Sequence, residues 1–301
     1  RLSPRILTMF AGTYTALVTP FRKGRVDEGA YQKLVCDQVR GGVDGIVPVG
    51  TTGESPSVGF DEHIWVIELA VQAAKGRVKV LAGTGANSTA EAIHLTRAAE
   101  AAGVDGSLQV APYYNKPTQE GVFQHFRKIA RSTKLPIILY SIPARCNIAI
   151  EVSTVKRLVK ACKNIVGIKE AGGDADRVSQ LRAALGQAFT ILSGDDVLTL
   201  PFMAVGAEGV ISVASNIIPR QVAKMVNEFA AGNSAAALKL HQKYYPMFKS
   251  LFIETNPIPT KAALAMLGKC AEEYRLPLCK MSAATRNELA KTLKACGVLK
   301  K

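Results

Sequence analysis

Short apolar, β-branched runs recur along the first two thirds of the chain, at 13–21, 45–50, 79–85, 107–113, 136–141, 165–171, 190–195 and 209–215. Each has strand length and is almost continuously apolar, the pattern of parallel strands covered on both faces. Between them apolar residues return at spacings of three and four, as from Asp61 to Ala70, so each strand is followed by a helix. Asp27, Ser88, Thr118 and Ser153 stand where helix caps belong, and Gly41-Gly42, Gly76, Gly103, Gly186 and Gly232 stand where helices should stop.

Eight strand–helix units within residues 10–232 predict a (β/α)8 TIM barrel. A doubly wound sheet usually shows fewer strands or a dinucleotide fingerprint, and Gly83-Thr84-Gly85-Ala86-Asn87-Ser88 lacks the third glycine of one. No G-x-x-x-x-G-K-[ST] occurs either. Past residue 232 the strand signals stop. Helical periodicity at 234–251, 259–267 and 282–295 then predicts a C-terminal helical domain over 233–301. Residues 1–9 are set apart as an N-terminal extension, a processed terminus or an expression remnant, with Met9 a candidate start.

Composition narrows the function classes. The 301 residues are 48 % hydrophobic and 21 % charged, which supplies a large core and excludes disorder over most of the chain. No apolar run reaches the 18 or more residues of a bilayer helix, so no membrane span is expected. The opening segment has neither a secretory apolar core nor a cleavage site. A cytoplasmic location follows, and the sequon Asn87-Ser88-Thr89 is read as chance. Cys36, Cys146, Cys162, Cys270, Cys279 and Cys296 show no paired spacing with each other or with histidine, so neither a disulfide framework nor a metal site is expected. The net charge of +14, from 38 Lys and Arg against 24 Asp and Glu, invites a nucleic-acid reading. Its spread along helix-like segments, without interleaved aromatics, argues against one.

In such barrels chemistry sits at the C-terminal ends of the strands. One strand ends in Gly50-Thr51-Thr52-Gly53-Glu54, a turn whose N–H groups and hydroxyls suit a small carboxylate, or which is simply a tight turn with Thr caps. Ile165 to Ala171 places Lys169 at the end of an apolar run. Burial there would lower the amine's pKa and make it a nucleophile toward a carbonyl; a lysine at the solvated strand tip is the other reading. Tyr140 ends the preceding strand and is either a proton relay or a structural phenol. Tyr113, Tyr114 and Arg145 follow two of the strands, and Arg145 suits bidentate carboxylate binding if it is not merely exposed.

Taken together, Gly50 to Glu54, Tyr113-Tyr114-Asn115, Tyr140 to Arg145, Gly167-Ile168-Lys169-Glu170-Ala171 and Ser193-Gly194-Asp195-Asp196 resemble the dihydrodipicolinate synthase family. That family lies in the pyruvate-dependent class I aldolase group with N-acetylneuraminate lyase. The resemblance implies condensation of pyruvate with L-aspartate 4-semialdehyde to 4-hydroxy-tetrahydrodipicolinate, a step toward lysine and diaminopimelate, with no cofactor beyond an imine on Lys169. It implies that Tyr140 assists imine formation, that Thr52 links Tyr140 to Tyr114, and that Tyr114 comes from a neighbouring subunit of a homotetramer or dimer. It further implies that Thr51 and Thr52 hold the pyruvate carboxylate, that Arg145 binds the aldehyde's carboxylate, and that Gly194 and Ile211 line the pocket.

Thr51, Arg145 and Lys169-Glu170-Ala171 favour this family over a related 2-oxo-acid aldolase acting on neuraminate or sugar acids; a degenerate barrel that only binds ligand stands as the other alternative. Ser55, His63, Asn87, Glu91 and Tyr113 match its lysine feedback site and imply L-lysine as an inhibitor. One stretch departs from the family pattern of Tyr-Asn-Val-Pro, then Gly or Ser, then Arg-Thr-Gly: here it reads Tyr140-Ser141-Ile142-Pro143-Ala144-Arg145-Cys146-Asn147. Asn147 tolerates the positive φ of the usual glycine, whereas loss of a hydroxyl at position 146 predicts weaker support for Arg145.

Overall fold

The computed structural model describes residues 8–300, so the expected extension at 1–9 falls mostly outside the described residues. Among those residues eight parallel strands close into a barrel: β1 (Gly12–Ala16), β4 (Gly45–Val47), β5 (Lys79–Gly83), β6 (Gly106–Val110), β7 (Ile137–Ser141), β8 (Ile165–Glu170), β9 (Thr190–Ser193) and β10 (Gly209–Ser212). Around the ring they follow the order β1, β10, β9, β8, β7, β6, β5, β4, and helices connect them, so the expected TIM barrel is the fold. All eight apolar runs become barrel strands.

The first run is shorter than its apolar content suggests. β1 ends at Ala16, and Phe21 enters a small antiparallel hairpin, β2 (Phe21–Arg22) and β3 (Arg25–Val26). Its two-residue loop is Lys23-Gly24, both at positive φ (53° and 78°), the geometry that matches the twist of paired strands. Caps form as expected at three helices. Asp27 accepts from the Ala30 N–H ahead of α1 (Glu28–Gly41), Ser88 from Glu91 ahead of α3 (Thr89–Ala101), and Thr118 from Gly121 ahead of α4 (Gln119–Ala130). Ser153 is not a cap: α6 (Val152–Ala161) begins one residue earlier, and Ser153 lies in its first turn.

The chain divides into two compact units, the described residues up to Gly12 with Leu81–Ile211, and Thr13–Val80 with the residues from Ser212 onward. In the first, Ile137, Ile138, Leu139, Ile165, Ile168, Ile191 and Leu192 are fully buried on adjacent strands. The apolar stripe of α4, Val122, Phe126 and Ile129, is buried as well. In the second unit Tyr14 is buried and β1 pairs with β4 at Tyr14–Gly45. A Cβ on Gly45 would lie 2.1 Å from the Tyr14 ring, so glycine is what admits the phenol there. The C-terminal helices α10 (Ser234–Ser250), α11 (Ile258–Met266) and α12 (Ala283–Ala295) fall within one or two residues of the sequence reading. Among the described residues no helix is long and apolar enough to cross a membrane.

Candidate active site

The register of the first unit aligns the groups that matter. Tyr140 on β7 pairs with Lys169 on β8, and Lys169 pairs with Leu192 on β9. Side chains at paired positions of parallel strands leave the sheet on the same side, so the phenol and the amine are neighbours. The Lys169 Nζ lies 4.0 Å from the centroid of the Tyr140 ring, and both side chains are buried, 6 % and 5 % exposed. Burial pulls the ammonium down to about pH 7; Asp196 and Asp195 oppose this and Arg145 reinforces it. The sequence left Lys169 between a buried nucleophile and a solvated tip, and the structure places it in the interior.

Space for that side chain is provided by Gly194, which follows β9. A Cβ there would lie 2.6 Å from Ala171 Cβ and 3.1 Å from Lys169 Cε. Ile211, fully buried on β10, belongs to the same unit. Beyond β9, Asp195 caps the short turn Asp196–Leu198, its carboxylate accepting from the Val197 N–H at 3.0 Å. Asp196 itself is buried.

Arg145 is exposed on the one-turn helix α5 (Pro143–Cys146), which follows β7. Asn147 ends that turn at φ 58°, the positive φ expected of it. At position 146, where loss of a hydroxyl is expected to weaken support for Arg145, the buried Cys146 thiol donates to the Ala111 carbonyl at 3.2 Å. Burial raises this thiol to about 11, which keeps it protonated and able to donate. After β6, Tyr114 is 92 % exposed at φ 72°. Close by, Asn87 Nδ2 donates to the Tyr113 carbonyl at 3.2 Å, and the Tyr113 phenol is raised first by burial and then by the Glu91 carboxylate.

Thr51 and Thr52 lie in the second unit, in the 3-10 turn Thr51–Gly53 that follows β4. Val49 just ahead of it is buried at φ 50°, a β-branched residue in the left-handed region, and so marks backbone strain held beside this turn. Thr52 is buried, and its hydroxyl accepts from Asn256 Nδ2 at 2.9 Å; Asn256 Oδ1 in turn accepts from Thr260 at 3.1 Å. Glu54, fully buried, accepts from Lys261 Nζ at 2.5 Å and from the Arg275 N–H at 3.2 Å. Lys261 lies over the Phe21 ring at 4.3 Å. Sequence reasoning singled out neither Asn256 nor Lys261. In the same unit, His63 is buried in α2 (Phe60–Ala74) and the Ser55 carbonyl accepts from Val58.

Among the described residues no group of three or more His, Cys, Asp or Glu is placed to hold a metal. Fold and site together define a (β/α)8 barrel organised around a buried lysine amine at one strand end. The family model described as the Dihydrodipicolinate synthetase family matches residues 9–296. The 4-hydroxy-tetrahydrodipicolinate synthase of Endomicrobium trichonymphae is 51 % identical over 97 % of this chain and 100 % of its own. The solved 4-hydroxy-tetrahydrodipicolinate synthase of Methylacidiphilum fumariolicum SolV is 55 % identical, with a TM-score of 0.95 over 96 % of each chain. A lysine-bound structure of the Cyanidioschyzon merolae enzyme is 41 % identical, with a TM-score of 0.95 over 97 % of this chain and 100 % of that one. The chain belongs to the dihydrodipicolinate synthetase family.

Proposed function

We propose that this chain condenses pyruvate with L-aspartate 4-semialdehyde to 4-hydroxy-tetrahydrodipicolinate, a cytoplasmic step of lysine and diaminopimelate biosynthesis. The observation that carries the reading is the buried Lys169 amine, drawn to about pH 7 and packed on Tyr140. At neutral pH a useful fraction of that amine is uncharged and nucleophilic.

Lys169 Nζ attacks the keto carbon of pyruvate, the resulting carbinolamine loses water, and the methyl group then gives up a proton to form the enamine. The enamine carbon bonds to the aldehyde carbon of the second substrate. That substrate's amine next attacks the imine carbon, closes the ring and releases Lys169, so one water is lost overall. Tyr140 moves protons at the carbinolamine, with Thr52 and Tyr114 extending the relay. Thr51 and Thr52 hold the pyruvate carboxylate, Arg145 holds the carboxylate of the semialdehyde, and Gly194 and Ile211 bound the pyruvate. None of these steps calls for a metal or an organic cofactor.

The exposure of Tyr114 supports a homo-oligomer, dimer or tetramer, in which this phenol enters a neighbouring subunit. Ser55, His63, Asn87, Glu91 and Tyr113 are the residues proposed to bind L-lysine as an inhibitor, and the contacts of Asn87 and Glu91 with Tyr113 support the last three. The relative solved with lysine bound supports this assignment.

The test is product formation from pyruvate with aspartate semialdehyde, set against turnover of neuraminate and 2-keto-3-deoxy sugar acids. Preference for the semialdehyde is expected; preference for a sugar acid overturns the substrate assignment. Borohydride reduction in the presence of pyruvate should fix a stable adduct on Lys169, and an unmodified protein would leave only a ligand-binding barrel.

A further inference from the structure

Glu170 directly follows Lys169 and ends β8 with its carboxylate fully buried. Two donors satisfy it: the Gly172 N–H at 2.7 Å to one oxygen and Arg177 Nε at 2.7 Å to the other. Gly172 is shaped to this carboxylate, since a Cβ there would lie 2.6 Å from Glu170 Oε1. Arg177 sits in α7 (Ala175–Leu185), and its side chain is only 14 % exposed. A second arm of the same guanidinium, Nη2, donates to the carbonyl of Ile150.

Ile150 closes the segment that begins at the end of β7 and carries Arg145 on α5. Its N–H donates to the Ser141 hydroxyl at 3.4 Å, so the segment folds back on the strand end it left. One guanidinium thus ties the carboxylate beside Lys169 to the carbonyl five residues beyond Arg145. The planar fork of arginine makes this two-way tie, which a point-charged ammonium does not reproduce. Gln119 holds the same segment from its other flank, through the Ala149 carbonyl at 2.8 Å and the Glu151 N–H at 3.1 Å, but it has no bond to β8.

We infer that Arg177 is a positioning residue for the condensation: it holds the Arg145 segment in register with Lys169, so that the semialdehyde's carboxylate is gripped where its aldehyde carbon meets the enamine. The inference rests on the reading of Arg145 as the group that binds that carboxylate. Formation of the pyruvate imine needs Lys169 and Tyr140 and does not draw on the tie. Loss of Arg177 therefore separates the two half-reactions. Glu170, left without its partner, takes up a proton, because burial already raises its pKa. Gln119 keeps the segment on the protein.

The experiment compares wild type, Arg177→Ala and Arg177→Lys by KM for each substrate, kcat, and the rate of borohydride trapping with pyruvate. Trapping in the wild type tests the parent reading on its own; with that adduct in hand, the variants test this inference. For Arg177→Ala the KM for aspartate semialdehyde should rise about 10-fold or more while KM for pyruvate and trapping stay within about 2-fold, since small misplacement of a binding group is costly to the step it serves. Arg177→Lys should show the same split in milder form, and it decides the matter if the alanine variant does not fold. A semialdehyde KM unchanged in both variants, or parallel losses in pyruvate KM and trapping, would overturn the proposal.

Discussion

The side-chain amide of Asn256 donates to the hydroxyl of Thr52 at 2.9 Å, across 204 positions of sequence. Because that oxygen already accepts from Asn256, the Thr52 proton is turned elsewhere, which suits the role proposed for it of donating to a substrate carboxylate or passing a proton along a relay. Thr260 fixes the amide from behind. The residues at the start of the C-terminal helices therefore complete the support of the Gly50 to Glu54 turn.

Asn256→Ala should lower kcat/KM about 10-fold, the effect of removing one buried hydrogen bond worth about 1–3 kcal/mol. Asn256→Asp should be at least as harmful, because an ionised carboxylate accepts the Thr52 proton and reverses the bond. Steady-state kinetics on the two variants check both. An aspartate variant as active as wild type would show that the direction of this bond is immaterial.

The buried pair of Glu54 and Lys261 predicts a stability effect. Lys261→Ala leaves a fully buried carboxylate without its ammonium and should cost about 3–5 kcal/mol in urea unfolding. The double variant Glu54→Gln with Lys261→Met should be clearly more stable than Lys261→Ala, since it removes the uncompensated charge along with its partner.

How far the sequence led follows from how near in the chain each contact lies. Lys169 and Tyr140 were legible because a polar residue ending an apolar strand of a barrel has only one rim to occupy. The expected barrel followed from eight runs of one period. Lys23-Gly24, just past the apolar run from Thr13 to Phe21, carries a hairpin signal, but the run reads as one strand although only its first part is β1 and its last residue opens the hairpin. Asn256 and Lys261 were hidden for a different reason. Each meets the Thr52–Glu54 turn across more than 200 residues, and no periodicity encodes which C-terminal side chain folds back on which turn. Arg177 reads as one basic residue on a helix until the structure shows both ends of its fork occupied.

Lys169 should set the pH dependence of the first chemical step. Only the neutral amine attacks the carbonyl, and burial brings its pKa to about 7. The initial rate of borohydride trapping with saturating pyruvate should rise with pH through neutrality and level off above about pH 8. A rate that keeps climbing toward pH 10 would mean that the amine titrates like a solvent-exposed lysine.

The same depression predicts that the site costs stability. An unfolded lysine keeps its proton up to about pH 10.5, while the native one loses it near 7, so between those values the unfolded chain binds more protons and stability rises with pH. Lys169→Met removes the penalty. It should stabilise the protein by up to about 4 kcal/mol near pH 7, with the gain shrinking as the pH approaches 10. Urea titrations of the two proteins at three pH values measure this, and a pH-independent difference would contradict it.

Gly194→Ala tests whether the nucleophile's path is as tight as the backbone indicates. The added methyl would lie 2.6 Å from Ala171 Cβ and 3.1 Å from Lys169 Cε, with the Glu170 carbonyl at 3.2 Å. The carbonyl cannot yield, because it accepts from the Gly194 N–H at 2.8 Å. Ala171 Cβ is fixed to the backbone, so the chain just after β8 must shift as well as the flexible lysine side chain, and the Lys169 Nζ leaves the face of Tyr140. Stability should fall by about 1–3 kcal/mol, as is usual for overpacking. Trapping of pyruvate should fall at least about 10-fold, because the amine no longer meets the carbonyl where proton transfer is available. A variant that loses stability yet traps pyruvate at the wild-type rate would show that the lysine reaches its substrate by another route.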